Sequence, residues 1–192
     1  RKWNSDVCSY DLSINEIEYF FDNSKTSWTL DGHLNFVRLN SIGLSNLPES
    51  IGDLTNLTSL NLSRNELTGL PENIASLHHL DGLTLNYNKL SSITDIPFAW
   101  TIHLSNNQLN SVPDNLFSCG VQNLFLANNQ LTSIPEDICD TFSGDTYTID
   151  NNMLCEEYNF SCADSFWGGF GEQDQSNCCV GENGEPNWTQ CP

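Results

Sequence analysis

The sequence predicts an α/β solenoid: six stacked coils sharing one parallel sheet, with a cap over each end. Three observations carry this reading. A motif L-x-x-L-x-L-x-x-N-x-L recurs through the middle of the chain, and most copies lead into a proline-led acidic segment. At both ends the repeat gives way, to aromatic residues at the front and cysteines at the back. Self-similarity at a fixed period of roughly 20–50 residues is the signature of stacked architectures.

Residues 1–33 are read as the N-terminal cap. The stretch LSINEIEYFFDNS (12–24) places Ile14, Ile17, Phe20 and Phe21 at helical spacing, with Ser13 or Asn15 as N-cap, and Trp3 and Trp28 flank it. The first coil of a stack exposes raw core and an unpaired strand edge. These aromatics are expected to cover both.

Residues 34–155 hold the repeats. The copies are LNFVRLNSIGLSNLP (34–48), LTSLNLSRNELTGLP (57–71), LDGLTLNYNKLSSI (80–93), AWTIHLSNNQLNSVP (99–113), VQNLFLANNQLTSIP (121–135) and GDTYTIDNNMLC (144–155). Their closing apolar residues, Leu44, Leu67, Leu90, Leu109, Leu131 and Leu154, are spaced 23, 23, 19, 22 and 23 apart. The L-x-L pair alternates with polar residues as a short strand with one buried face does. Asn65, Asn88, Asn107, Asn129 and Asn152 suit a tight bend where a side-chain amide satisfies backbone groups of adjacent coils, and in the first copy Ile42 holds that place. Between strands, LPESIGDL, LPENIASL, VPDNLF and IPEDIC put proline and then acids at the start of short helical or 3-10 turns. The third coil is four residues shorter, so SSITDIPFAW is expected to run as an extended strap.

This pattern resembles the extracellular leucine-rich-repeat family, with outer segments of the L-P-x-x-I-x-x-L type. It does not follow the L-x-G-x-I-P pattern of plant polygalacturonase inhibitors, so that activity is not expected. The resemblance implies a curved solenoid whose sheet lines the concave face and presents side chains to a protein or glycan partner. Between the two core residues of each strand stand Arg38, Asn61, Thr84, His103, Phe125 and Thr148, with Phe36, Arg64, Tyr87 and Trp100 nearby. Arg38, Arg64, Tyr87, Trp100, His103 and Phe125 form the candidate ligand-binding set. A mixture of aromatic and polar groups is common at binding hot spots, although scattered aromatics on a solvated sheet would read the same way.

Residues 156–192 are read as a Cys-rich cap or small module. From Cys155 onward the chain holds five glycines and five cysteines and no further repeat, so it needs covalent staples. Eight cysteines in 192 residues point to disulfides and an oxidising compartment, hence a secreted or cell-surface protein. The disulfide set is Cys119, Cys139, Cys155, Cys162, Cys178, Cys179 and Cys191. Cys119 and Cys139 stand on the outer sides of adjacent coils, within reach of each other. Cys178 and Cys179 point to two different partners, because a bridge between neighbours is strained.

Cys8 is isolated from these. Strand stacking is expected to place it about 20 Å or more from the coil of Cys119, beyond the roughly 7 Å that a disulfide tolerates between Cα atoms, unless the N-terminal segment runs back along the stack. A free thiol, a partner in a missing part of the protein, and an intermolecular disulfide all remain open. The last would join N-cap to C-cap head to tail and build a filament of this chain with itself.

Four sequons, at Asn56, Asn61, Asn159 and Asn187, are candidate glycosylation sites, and a glycan on Asn61 would obstruct the second coil. Six basic against 25 acidic residues, a formal net charge of −19, argue against nucleic acid and anionic membrane surfaces. No apolar run is long enough to span a membrane. The sequence begins at Arg1 with no leader, which reads as a processed chain or a fragment. His78 and His79 fall on the outer side and His33 and His103 in different coils. No motif calls for a nucleophile, a metal or a cofactor, so the expectation is a non-catalytic protein.

Overall fold

The computed structural model describes residues 26–28, 34–113, 115–118, 121–134, 146–154 and 171–174. Seven strands form one sheet in chain order. They are β1 (Thr26–Trp28), β2 (Leu34–Arg38), β3 (Ser59–Asn61), β4 (Gly82–Thr84), β5 (Thr101–His103), β6 (Asn123–Phe125) and β7 (Thr146–Thr148). The six strands β2 to β7 are parallel, one per repeat, while β1 runs antiparallel along the outer edge of β2. The sequence reading had no strand before the first repeat. The Thr26–Trp28 pairing supplies backbone partners to an edge that would otherwise template association.

Register explains how one core serves every coil. Val37, Leu60, Leu83, Ile102, Leu124 and Tyr147 are successive register partners, and all are buried. Leu39, Leu62, Leu85, Leu104, Leu126 and Ile149 form a second buried row. Because side chains alternate across a strand, a one-residue slip would turn both rows into solvent. A fully buried Leu is worth roughly 1.5–3 kcal/mol over an exposed one, so the register is strongly specified.

The outer side varies with sequence. Pro48 and Pro71 precede 3-10 turns at Glu49–Asp53 and Glu72–Ser76, burying Ile51 and Ile74. These turns pack so closely that a Cβ on Gly52 would lie 2.2 Å from the Asn73 carbonyl oxygen. Asn115–Ser118 forms one α-helical turn, α1. In the short third coil residues 91–100 hold neither helix nor strand: Ile93, Ile96, Pro97 and Ala99 turn inward while Phe98 and Trp100 remain exposed. All eight cysteines lie outside the described residues, as do the 12–24 segment and residues 135–139 of the IPEDIC segment.

The asparagines join the coils. Asn88 Nδ2 donates to the carbonyls of Leu62 (3.0 Å) and Leu85 (2.9 Å), and its Oδ1 accepts from the Leu67 amide (3.1 Å). Asn65, Asn107, Asn129 and Asn152 repeat this arrangement. In the first coil, where Ile42 replaces Asn, the Ile42 amide donates to Asn65 Oδ1 instead. Such groups are buried, and leaving them unpaired would be costly.

The ladder extends beyond the last repeat. Within the predicted Cys-rich cap, Gln173 Nε2 donates to the Ile149 carbonyl (3.0 Å), as each asparagine does to the coil before it, and its Oε1 accepts from the Asn152 amide (3.2 Å). The Asn151 amide donates to the Glu172 carbonyl and the Asp174 amide to the Asn152 carbonyl. Residues 171–174 thus add a sixth rung to the five asparagines. The longer glutamine conceals a signal that spacing carried: Gln173 is 21 residues after Asn152.

Candidate functional site: the solvent face of the sheet

Strands β3 to β7 share one burial pattern, a buried centre flanked by partly exposed residues, so the sheet has one core face and one solvent face. The register sets Arg38, Asn61, Thr84, His103, Phe125 and Thr148 in one row on that solvent face. A parallel row holds Phe36, Ser59, Gly82, Thr101, Asn123 and Thr146. Neither row contains a carboxylate, in a chain with 25 acids.

A third line follows where each strand bends outward. Ser41, Arg64, Tyr87, Asn106, Asn128 and Asn151 all adopt left-handed backbone conformations, with φ between 54° and 60°. Asn tolerates this region well, Arg and Tyr less so. Because Arg64 and Tyr87 hold equivalent bends in adjacent coils, the Arg64 guanidinium lies 4.6 Å from the Tyr87 ring centroid. Arg38 sits similarly over Phe36 at 5.2 Å. Both are cation–π distances.

His103 and Phe125 are register partners, and their rings stack with centroids 4.2 Å apart and planes 3° from parallel. That separation is close to the spacing of neighbouring strands, about 4.8 Å. The stack therefore runs along the line of strands. One face of His103 is covered by Phe125, and the other looks toward Thr84 on β4. Burial lowers the His103 pKa below its ordinary 6.5, because the imidazolium loses hydration there. On the core face, burial raises the Tyr147 phenol above 10.0 for the same reason.

The predicted binding set is thus brought together only in part. Arg64 with Tyr87 and His103 with Phe125 form two local groups on adjacent coils. Arg38 stands on β2, three strands away from His103. Trp100, 57% exposed, lies one residue before β5, at the opposite end of the strands from the Tyr87 bend. Sequence reasoning missed Phe98, exposed on the strap, and Gly82, the one residue without a side chain in either row. Asn86 was missed too: its Oδ1 is buried without a hydrogen-bond partner, alone in this among the described residues.

Outside the sheet face, His78 and His79 are exposed, and His79 Nδ1 donates to the Thr55 carbonyl at 2.9 Å. Among the described residues no three His, Cys, Asp or Glu side chains converge as a metal site would require. Nor is any described helix long and apolar enough to cross a membrane. Asn56 is exposed before β3, while Asn61 is half-buried with its Oδ1 accepting from the Ser63 amide and hydroxyl. Asn159 and Asn187 lie outside the described residues.

Known proteins share this architecture. The Leucine Rich Repeat family pattern matches residues 56–77 and 120–141. A leucine-rich-repeat protein of Leptospira interrogans superposes with a TM-score of 0.54 at 30% identity, over 63% of this chain and 32% of that one. The chain thus spans about a third of that protein's length. No curated protein sequence matches it. Six parallel strands in one register, the amide ladder between them and these matches support a leucine-rich-repeat solenoid fold for the chain.

Proposed function

We propose that this chain is a non-catalytic extracellular recognition or adhesion module that binds its partner through the solvent face of the sheet, centred on the third to fifth coils. Leucine-rich-repeat proteins generally mediate protein interactions and are typically non-catalytic. The observation that carries the reading is the pairing of rings and cations there. Arg64 over Tyr87 and His103 against Phe125 hold rigid, partly exposed surface on adjacent coils without carboxylates between them. Rigid aromatics lose little entropy when a partner covers them. The extracellular setting rests on cysteine usage alone.

A photo-crosslinking residue at Thr84, compared with one at exposed Glu72 on the outer side, tests this. Extracellular material from the source organism should label Thr84 and not Glu72. The purified adduct partner should then bind wild type and lose affinity for a Tyr87→Ala/Phe125→Ala variant. Equal labelling from both positions would overturn the reading.

A second reading is end-to-end assembly through Cys8. It rests on the sequence: Cys8 stands apart from the other seven cysteines, all of which lie in the last 74 residues, and seven is an odd number. Mass measurement of the alkylated, unreduced protein decides: a ladder of multiples that vanishes in Cys8→Ser supports assembly, and a monomer alkylated at Cys8 refutes it.

A further inference from the structure

We propose that the sheet face carries a saccharide site: a trough over β4, floored by Gly82 and Thr84 and walled by the free face of His103, that takes a neutral hexopyranose chain. The inference deepens the recognition reading above and rests on it.

Gly82 is the starting point. Its φ is not left-handed, and a Cβ there would meet only Ser59 Oγ, at 3.9 Å. Neither backbone conformation nor packing requires glycine, and in a strand it is destabilising relative to Ala. What glycine does provide is bare backbone in the middle of a solvent face, a feature that marks close approach by a ligand. Its neighbours in the row, Ser59 and Thr101, stand higher on either side.

The surroundings define the ligand. Thr101 Oγ1 accepts a hydrogen bond from Asn123 Nδ2 at 3.1 Å, which leaves its own proton to donate outward. Thr84, two residues beyond Gly82 on the same face, adds a second hydroxyl. His103 presents the flat face opposite Phe125 to this floor, and exposed Trp100 stands at one end of it. Aromatic faces are electron-rich and attract weakly positive C–H groups. A pyranose ring offers one face of C–H bonds and a rim of hydroxyls, which matches a ring wall beside a hydroxyl-lined floor.

Charge excludes the acidic sugars. The three basic residues described are already engaged: Arg38 over Phe36, Arg64 over Tyr87, and Lys89 with Glu66 at 3.2 Å. The chain's net charge of −19 repels sulfated or carboxylated glycans. A peptide strand is the weaker fit, because peptides add to sheet edges and β4 is an interior strand.

The test is amide-resolved NMR of the whole chain, titrated to millimolar concentration with neutral hexaoses of glucose, mannose and galactose. The expected result is shifts confined to β4, β5 and the Tyr87 bend for at least one sugar. Affinity should fall roughly tenfold or more in Gly82→Val and in His103→Ala, and stay unchanged in His78→Ala. Two variants guard against a folding artefact in either. The proposal is overturned if no hexaose shifts these amides, if binding ignores Gly82→Val, or if dextran sulfate binds in their place. A glycan on Asn61, the register partner of Thr84, found filling the trough also overturns it. If Thr84 crosslinks a protein while no sugar binds, the saccharide site fails and the recognition reading stands. If neither occurs, both fail.

Discussion

Asn88 and Asn86, two residues apart in one coil, test the ladder against its own exception. Asn88→Ala would strip the Leu67 amide, fully buried, of its acceptor and remove a donor from each of the Leu62 and Leu85 carbonyls. Those carbonyls keep second donors, Asn65 and Asn107, so the dominant loss is the orphaned N–H. An orphaned buried donor costs about 1–3 kcal/mol and each of the two lost carbonyl bonds roughly 0.5–1.5, giving about 2–6 kcal/mol together. That is a large share of the ~5–15 kcal/mol typical of a domain. With a mid-range urea slope of about 2 kcal/mol/M the unfolding midpoint should fall by about 1–3 M. Asn86→Ser, which installs the residue type of Ser63 and Ser105 at the equivalent place, removes an acceptor that has no partner. It should be neutral or stabilising within about 0.5 kcal/mol. Asn88→Asp sharpens the test, because a carboxylate would then face the two carbonyls. Its folded pKa rises above the ordinary value of about 3.9, so the variant is least damaged in acid and loses stability as pH rises through that raised pKa. The reasoning is wrong if Asn88→Ala costs under about 0.5 kcal/mol, or if Asn86→Ser is as damaging as Asn88→Ala.

Three further outcomes are expected. Gly52→Ala should lower the urea midpoint, because its Cβ meets the Asn73 carbonyl at 2.2 Å, while Gly69→Ala, with open space around it, should leave stability unchanged or raised by about 0.4–1 kcal/mol. Gly171→Ala combines a left-handed φ of 62° with a 2.4 Å clash on Asp150 Cβ, so the last rung should undock. Hydrogen exchange at the Asn151 and Asp174 amides should then accelerate while the Leu67 amide is unaffected. His103, with its folded pKa below 6.5, binds fewer protons folded than unfolded in that window. Its stability contribution is full above pH 6.5 and lost as pH falls toward the lowered pKa. Phe125→Ala should bring the NMR titration midpoint of His103 up toward 6.5, and no change on that substitution would refute burial against Phe125 as the cause.

Much of this molecule is legible in its sequence, for a physical reason. A repeat that cannot bury its apolar face alone must stack on a copy of itself, so the L-x-L pairs, the asparagine and the proline-led turns determine one coil, and repetition determines the rest. Strand alternation likewise decides which of Arg38, His103 and Phe125 face solvent. What the sequence could not supply is anything that depends on neighbouring coils in space. The antiparallel strand Thr26–Trp28 lies outside the repeat and is recognisable only by what it pairs with, and the Gln173 rung keeps the repeat spacing but carries a different side chain, so its bonds to Ile149 and Asn152 are what reveal it. Arg64 reaches Tyr87, and His103 meets Phe125, because residues 23 and 22 apart become neighbours across one strand spacing. Gly82 reads in sequence as a weak point in a strand. Only the tertiary structure, where a Cβ at Gly82 would meet nothing nearer than Ser59 Oγ at 3.9 Å, shows that packing does not require glycine there.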